Sequence, residues 1–170
     1  MQSAAEIEIT EPFQCGASEK TIVGKTPDRR RVRRVLDVWA CSARGGFPSW
    51  RDVRTADLHS DWPWIFVVDA DATEPAPTFT FLGARLEAMT RGPLLAGALG
   101  ATALDRLIEH VNVSIALEGP NVCEDNIRLS DGRSVSFRCF TAPLADDGRS
   151  IDRVLGCVSG RLGGRWRRAP

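Results

Sequence analysis

Apolar residues recur at helical spacing over two long stretches of the chain. Val32, Val35, Leu36, Trp39 and Ala43 share one stripe, with Arg29, Arg30, Arg33, Arg34 and Asp37 off it. That is the pattern of an amphipathic helix with one buried face. Thr26 suits its cap, Pro27 its first position and Asp28 its positive end, and Gly45-Gly46 stops it. The prediction is a helix over 27–44. Leu104, Leu107, Ile108, Val111 and Ile115 form the second stripe. Thr102 and Asp105 open it as a capping box does, and Gly119-Pro120 closes it.

The pattern changes between and after these helices. "FPSWRDVRTADLHSDWP" is irregular, with one short helical turn expected. Trp64 to Val68 is an almost continuous apolar run, as in a strand covered on both faces. "TFTFL", Thr78 to Leu82, alternates like a half-buried strand. Residues 84–101 are Gly-rich, with one helical turn expected at 84–90 and a wrapping loop after it. The last third reads as a meander. "VCEDNIRL", "RSVSFRCFTAPL" and "SIDRVLGCVSG" are separated by Ser130-Asp131-Gly132 and Asp146-Asp147-Gly148. Asp-Gly between such runs signals hairpins. Helix, two strands, short helices, a longer helix and three strands make an α+β domain rather than an alternating βα one. We place a single domain over 26–160, a loosely held arm over 1–25 and a basic tail over 161–170.

Composition narrows the class. The chain has 170 residues, 43% of them hydrophobic, and a formal net charge of zero. Such a charge draws neither nucleic acid nor a membrane surface. No apolar run is long enough to span a bilayer, and the first residues lack the basic and apolar regions of a secretory leader. Five cysteines and no Cys-x-x-Cys suit free thiols in a reducing cytoplasm.

One stretch suggests catalysis. "IFVVDADAT" carries Asp69 and Asp71 in an Asp-x-Asp-x-Thr pattern after an apolar strand. This is the nucleophile motif of haloacid dehalogenase-like phosphatases. Such an enzyme also needs a parallel sheet, a cation for the phosphoryl group and further carboxylates for Mg²⁺. Both lysines, Lys20 and Lys25, precede the motif, and Asp146-Asp147 reads as a turn. Asp69 and Asp71 are more simply the solvated end of a buried strand. No other catalytic constellation is present, and the expectation is that the protein is not an enzyme.

The ordered segments "VLDVWACSARGGFPSWRDV", "WPWIFVVDAD", "FTFLGARL", "GPLLAGALG" and "LADDGRSIDRVLG" resemble a bacterial family of small, often stand-alone PAS proteins. The resemblance spans Val32 to Val158. It implies a five-stranded antiparallel sheet in the order 2-1-5-4-3. It also implies short helices around a small cavity, and the N-terminal helix packed on the sheet or on a partner subunit. PAS domains sense ligands or mediate protein contacts. The resulting expectation is a cytoplasmic sensory or regulatory module that binds a small ligand or a partner and signals through a separate output protein. A ligand-free interaction adaptor is the alternative, and an Asp69-dependent phosphatase a third reading. On strand and helix phase the cavity would draw on Phe79, Phe81, Leu104, Ile108, Val111, Phe137 and Leu155.

Three groups of residues need weighing beside that expectation. His110 lies on the helix from which some PAS domains ligate haem, but it falls well off the apolar stripe, where a solvated side chain is expected; the cofactor is left unknown. His59 falls in a loop. Hairpins centred on Asp131-Gly132 and Asp147-Gly148 would place Cys123, Cys139 and Cys157 in one cross-strand row. The row reads either as a soft-metal or redox site or as small apolar filler. With no histidine or basic group placed to lower their pKa, filler is preferred. If the sheet leaves Val32, Val35, Leu36 and Trp39 uncovered, the first helix would pair with a second copy, making a homodimer. The arginines beside the stripe read as a solvated face rather than a nucleic-acid contact.

Overall fold

The first stripe folds as α1, Arg29–Ser42. In the computed structural model, which describes residues 29–70, 78–90, 103–128 and 134–162, α1 lies on its own sheet. Val32 and Val35 are buried there, and Leu36 and Trp39 pack at the edge of the same cluster. Trp39 Nε1 donates to the Pro143 carbonyl at 2.8 Å. The stripe is therefore covered within the chain, and it gives no reason for a second subunit. The arm, the residues expected to cap α1 and most of the basic tail lie outside the described residues.

After α1 the chain makes a short helix, α2 (Trp50–Arg54), begun by a capping box between Ser49 and Asp52. A 3₁₀ turn at Trp62–Trp64 leads into β1, Ile65–Asp69. Asp61, just before that turn, is only 1% exposed. Its carboxylate accepts two hydrogen bonds from Arg34, both at 2.7 Å, and lies 3.4 Å from Arg31 Nε. The Arg31 guanidinium also sits 4.6 Å above the Trp64 ring. Two of the arginines beside the stripe thus tie α1 to the entry of the sheet instead of forming a free solvated face.

The remaining elements are β2 (Phe79–Leu82), α3 (Ala84–Thr90), α4 (Ala103–Ala116), β3 (Asn121–Arg128), β4 (Ser134–Leu144) and β5 (Arg153–Leu162). The sheet order is β2-β1-β5-β4-β3 with every pair antiparallel, the α+β arrangement that the resemblance implies. β5 continues through Leu162, two residues into the expected tail. β1 is an interior strand between β2 and β5, and Ile65 to Val68 are fully buried, as its unbroken apolar run required.

Each face of the sheet has its own core. Ile65, Val67, Phe140, Ala142, Leu155 and Cys157 face α1 and α2. Phe66, Val68, Phe137, Cys139, Val154 and Val158 face α3 and α4. The connection between β4 and β5 is wider than the expected Asp-Gly hairpin. Residues 145–152 form a loop in which Asp147 accepts from the amides of Arg149 and Ser150. Gly148, at φ +73, receives the Phe47 amide at its carbonyl. The hairpin closes on Leu144 opposite Arg153.

Candidate functional site

The α4 face was expected to hold the cavity. Phe79, Ile108, Val111 and Phe137 do share it. Leu104 belongs to α4, but its side chain is outside the described residues. Phe81 and Leu155 lie on the opposite face, so the structure corrects both.

The reason for Phe81 is a bulge. Phe81 is opposite Val67 and Phe79 is opposite Val68, so Thr80 is an extra residue on β2. Two positions that strict alternation would place together are therefore split between faces. Phe81 instead meets Trp50 at 5.8 Å and Trp62 at 5.7 Å, beside an open cleft that Arg54 and Thr80 also line. Leu155 pairs with Val67 and Ala142, both of which face α1. Because the sheet is buried on both sides, apolar character gave no sign of which way Leu155 points.

Among the described residues, Phe66 fills the middle of the α4 face. It stands opposite Gly156 in the register. A Cβ at Gly156 would come within 1.9 Å of the Phe66 ring, so only glycine allows the ring to lie there. Phe79 meets the same ring edge-on at 5.9 Å.

A polar cluster sits at the β3 edge of this face. Two residues after α4, Glu118 takes φ +47, and Ser114 Oγ donates to the Gly119 carbonyl at 2.7 Å. That turn returns β3 along α4. Cys123 and Asp125, two residues apart, then lie on the side of β3 that meets His110. His110 Nε2 is 3.8 Å from Asp125 Oδ2, too long for a good hydrogen bond but within ion-pair reach. The imidazole meets the Phe137 ring at 6.4 Å, and Thr141 Oγ1 donates to the His110 carbonyl at 3.0 Å. His110 is thus not solvated as expected: its side chain is 16% exposed. The helical wheel placed it correctly off the centre of the stripe. It could not show that the sheet extends far enough for β3 to cover that flank.

The cysteines divide. Cys123 is opposite Cys139, as expected. Cys139 is opposite Val158, however, and Cys157 is opposite Phe140. The wide 145–152 loop shifts the register by one residue, and Cys157 moves to the α1 face. The row of three is a pair. Burial pushes the Cys157 thiol above its ordinary range.

The pair and its neighbours perturb one another. Cys139 and then the His110 imidazole lower the Cys123 thiol from 9.0 to about 6, against the effect of burial. Asp125 and then Cys123 raise His110 from 6.5 to about 9. Asp125 is held below its ordinary value by His110. Cys139, opposite Cys123 and fully buried, is raised. The structure therefore corrects the expectation that no histidine is placed to activate a thiol. The arrangement can hold a thiolate beside an imidazolium. It does not suit haem, because His110 Nε2 is buried and faces Asp125. Among the described residues, no three His, Cys, Asp or Glu side chains are grouped so as to hold a metal. His59 is exposed, 3.6 Å from Asp57.

Asp69 ends β1, and β1 runs antiparallel to both β2 and β5. The parallel sheet that the phosphatase motif needs is not its setting. Asp71 is outside the described residues. No described helix is long and apolar enough to cross a membrane.

No protein-family model and no curated protein matches the sequence. Among solved structures, one that matches concerns a flavin analogue and the mechanism of a light-oxygen-voltage domain. It is 13% identical, with a TM-score of 0.43, and the match covers 68% of this chain and 86% of that one. At that level of similarity nothing about a flavin passes to this chain. The PAS-type reading of the fold rests on the strand order and on the helices between β2 and β3.

Proposed function

We propose that this protein is a PAS-type sensory or regulatory module that takes a small ligand or a partner protein on its α4 face and acts on a separate output protein. The observation that supports this is the two-sided use of β1. Phe66 and Val68 pack under α4, while Ile65 and Val67 of the same strand pack under α1. A rearrangement of Phe66 would be felt one residue away by the residues that seat α1. A ligand preferring one arrangement would shift the population of the other. The expected site of action is the cytoplasm.

Native and denaturing mass spectra of the purified protein test the proposal. The expected result is a discrete extra mass that disappears on denaturation. The subunit count in the same spectrum tests the expected homodimer, which would have to use a surface other than the covered stripe of α1. A second reading, a ligand-free interaction adaptor, is favoured by the Phe66 ring filling the face over Gly156. A bare polypeptide in both spectra would support that reading and count against the first.

A further inference from the structure

β3 is an edge strand, so Cys123 has a strand neighbour on one side only. Cys123 is partly exposed, whereas Cys139 and Cys157 are buried. A cysteine that reacts with a solute needs access and needs to be ionised, because the thiolate is the nucleophile. Both conditions meet at Cys123. His110 on α4 stands 3.8 Å from Asp125, which is two residues along β3 on the same side as Cys123 and favours the protonated imidazole. Cys139 is its register partner, and Cys123 Sγ lies 3.9 Å from the Cys139 carbonyl oxygen.

We propose that Cys123, partly exposed on the edge strand and two residues from the His110–Asp125 contact, is a modification site for small hydroperoxides, with Cys139 opposite it closing a cross-strand disulfide in a second step. This goes beyond the ligand-binding reading and does not depend on it. In the first step the Cys123 sulfur attacks the terminal peroxide oxygen. An S–O bond forms and the O–O bond breaks. The departing alkoxide or hydroxide takes the proton of His110, leaving Cys123 as a sulfenic acid. In the second step the Cys139 sulfur displaces that hydroxyl. The S–S bond forms, the S–O bond breaks, and the Cys139 proton leaves with the hydroxyl as water. The two thiols lose two electrons and the peroxide gains them. Opposed residues hold their Cβ atoms about 4.5–5.5 Å apart and a disulfide wants about 3.5–4.5 Å. The second step therefore draws β3 slightly inward, which an edge strand allows.

The groups that act on Cys123 are Cys139 from β4, His110 from α4 and Asp125 on its own strand, and Arg106 of α4 acts in turn on Asp125. With Cys123 at about 6 instead of 9.0, its thiolate fraction at neutral pH is about 90-fold larger. A less basic thiolate is also a weaker nucleophile, by about 15–30-fold over that interval, so the net rate advantage is only about 3–6-fold. The pH profile is the sharper readout.

The test uses the full chain. Alkylation by iodoacetamide is followed across pH by peptide-resolved mass spectrometry, with the exposed Cys41 as internal reference. The expected midpoint for Cys123 is near pH 6. His110→Gln should raise it by more than about one unit, with far-UV circular dichroism confirming the fold. Cys139→Ser keeps the readout independent of that variant. Hydrogen peroxide should remove the Cys123 and Cys139 thiols together in the parent, as an intramolecular disulfide. In Cys139→Ser it should leave a dimedone adduct on Cys123. A Cys123 midpoint matching that of Cys41, a midpoint unmoved by His110→Gln, or peroxide consuming Cys41 while sparing Cys123 would each overturn the proposal.

Discussion

The Asp61 cluster yields a prediction whose sign depends on which partner is buried. Asp61 is nearly fully enclosed, while the side chains of Arg31 and Arg34 are 18% and 50% exposed. Removing the acid leaves Arg34, half exposed and able to turn to water, and Arg31, which keeps its bond to Ser159 and its place over Trp64. Removing both arginines leaves a carboxylate that cannot turn to water. Losing one partner of a buried pair costs about 3–5 kcal/mol, chiefly because the other is stranded. Asp61→Ala should therefore cost about 1–3 kcal/mol, the loss of charge-assisted bonds reduced by rehydration of Arg34 and by the contacts Arg31 keeps. Arg31→Ala with Arg34→Ala should cost more, and it also removes the contact over Trp64. Adding Asp61→Ala to that double variant should then restore about 1–3 kcal/mol, since no charge remains stranded and the lost ring contact is common to both proteins. The assay is urea unfolding followed by circular dichroism at constant pH and salt. A triple variant no more stable than the double would show that Asp61 is not stranded, and the account of how α1 is anchored would fail.

Two further predictions concern the α4 face. Gly156→Ala would drive a methyl group into the Phe66 ring; a loss of about 2–3 kcal/mol is expected in urea unfolding. The same substitution should cost clearly less in a Phe66→Leu background, and equal costs in the two backgrounds would refute the packing argument. The thiol–imidazole pair should leave stability nearly flat between about pH 6.5 and pH 9. The contribution of His110, raised on folding, is full below 6.5 and is lost as pH rises through about 9. The contribution of Cys123, lowered on folding, is full above 9.0 and is lost as pH falls through about 6. The two slopes oppose each other over the shared window. Thiolate absorbance, taken as the difference between the parent and Cys123→Ser, should nonetheless rise near pH 6 in the folded protein and near 9.0 in urea. A folded-state rise near 9.0 would refute the pairing.

The pattern along the chain was enough to place α1, β1, β2 and α4 within a few residues, because each carries a periodicity that only one kind of element satisfies. The ordered segments also implied the strand order, and the sheet has it. Orientation within the sheet was another matter. β1, β4 and β5 are buried on both faces, so the apolar character of Leu155 or Cys157 says nothing about which core each enters. Thr80 and the 145–152 loop each displace the alternation by one residue, and a one-residue displacement reverses a face. These are properties of how two strands meet, and no single strand's sequence encodes them. The His110, Cys123, Asp125 and Cys139 cluster depends on the same kind of information. Its members were each visible as chemistry in the chain. Only the packing of α4 across β3 made them neighbours, because the distance between a helix flank and a sheet edge is set by the width of the sheet beneath.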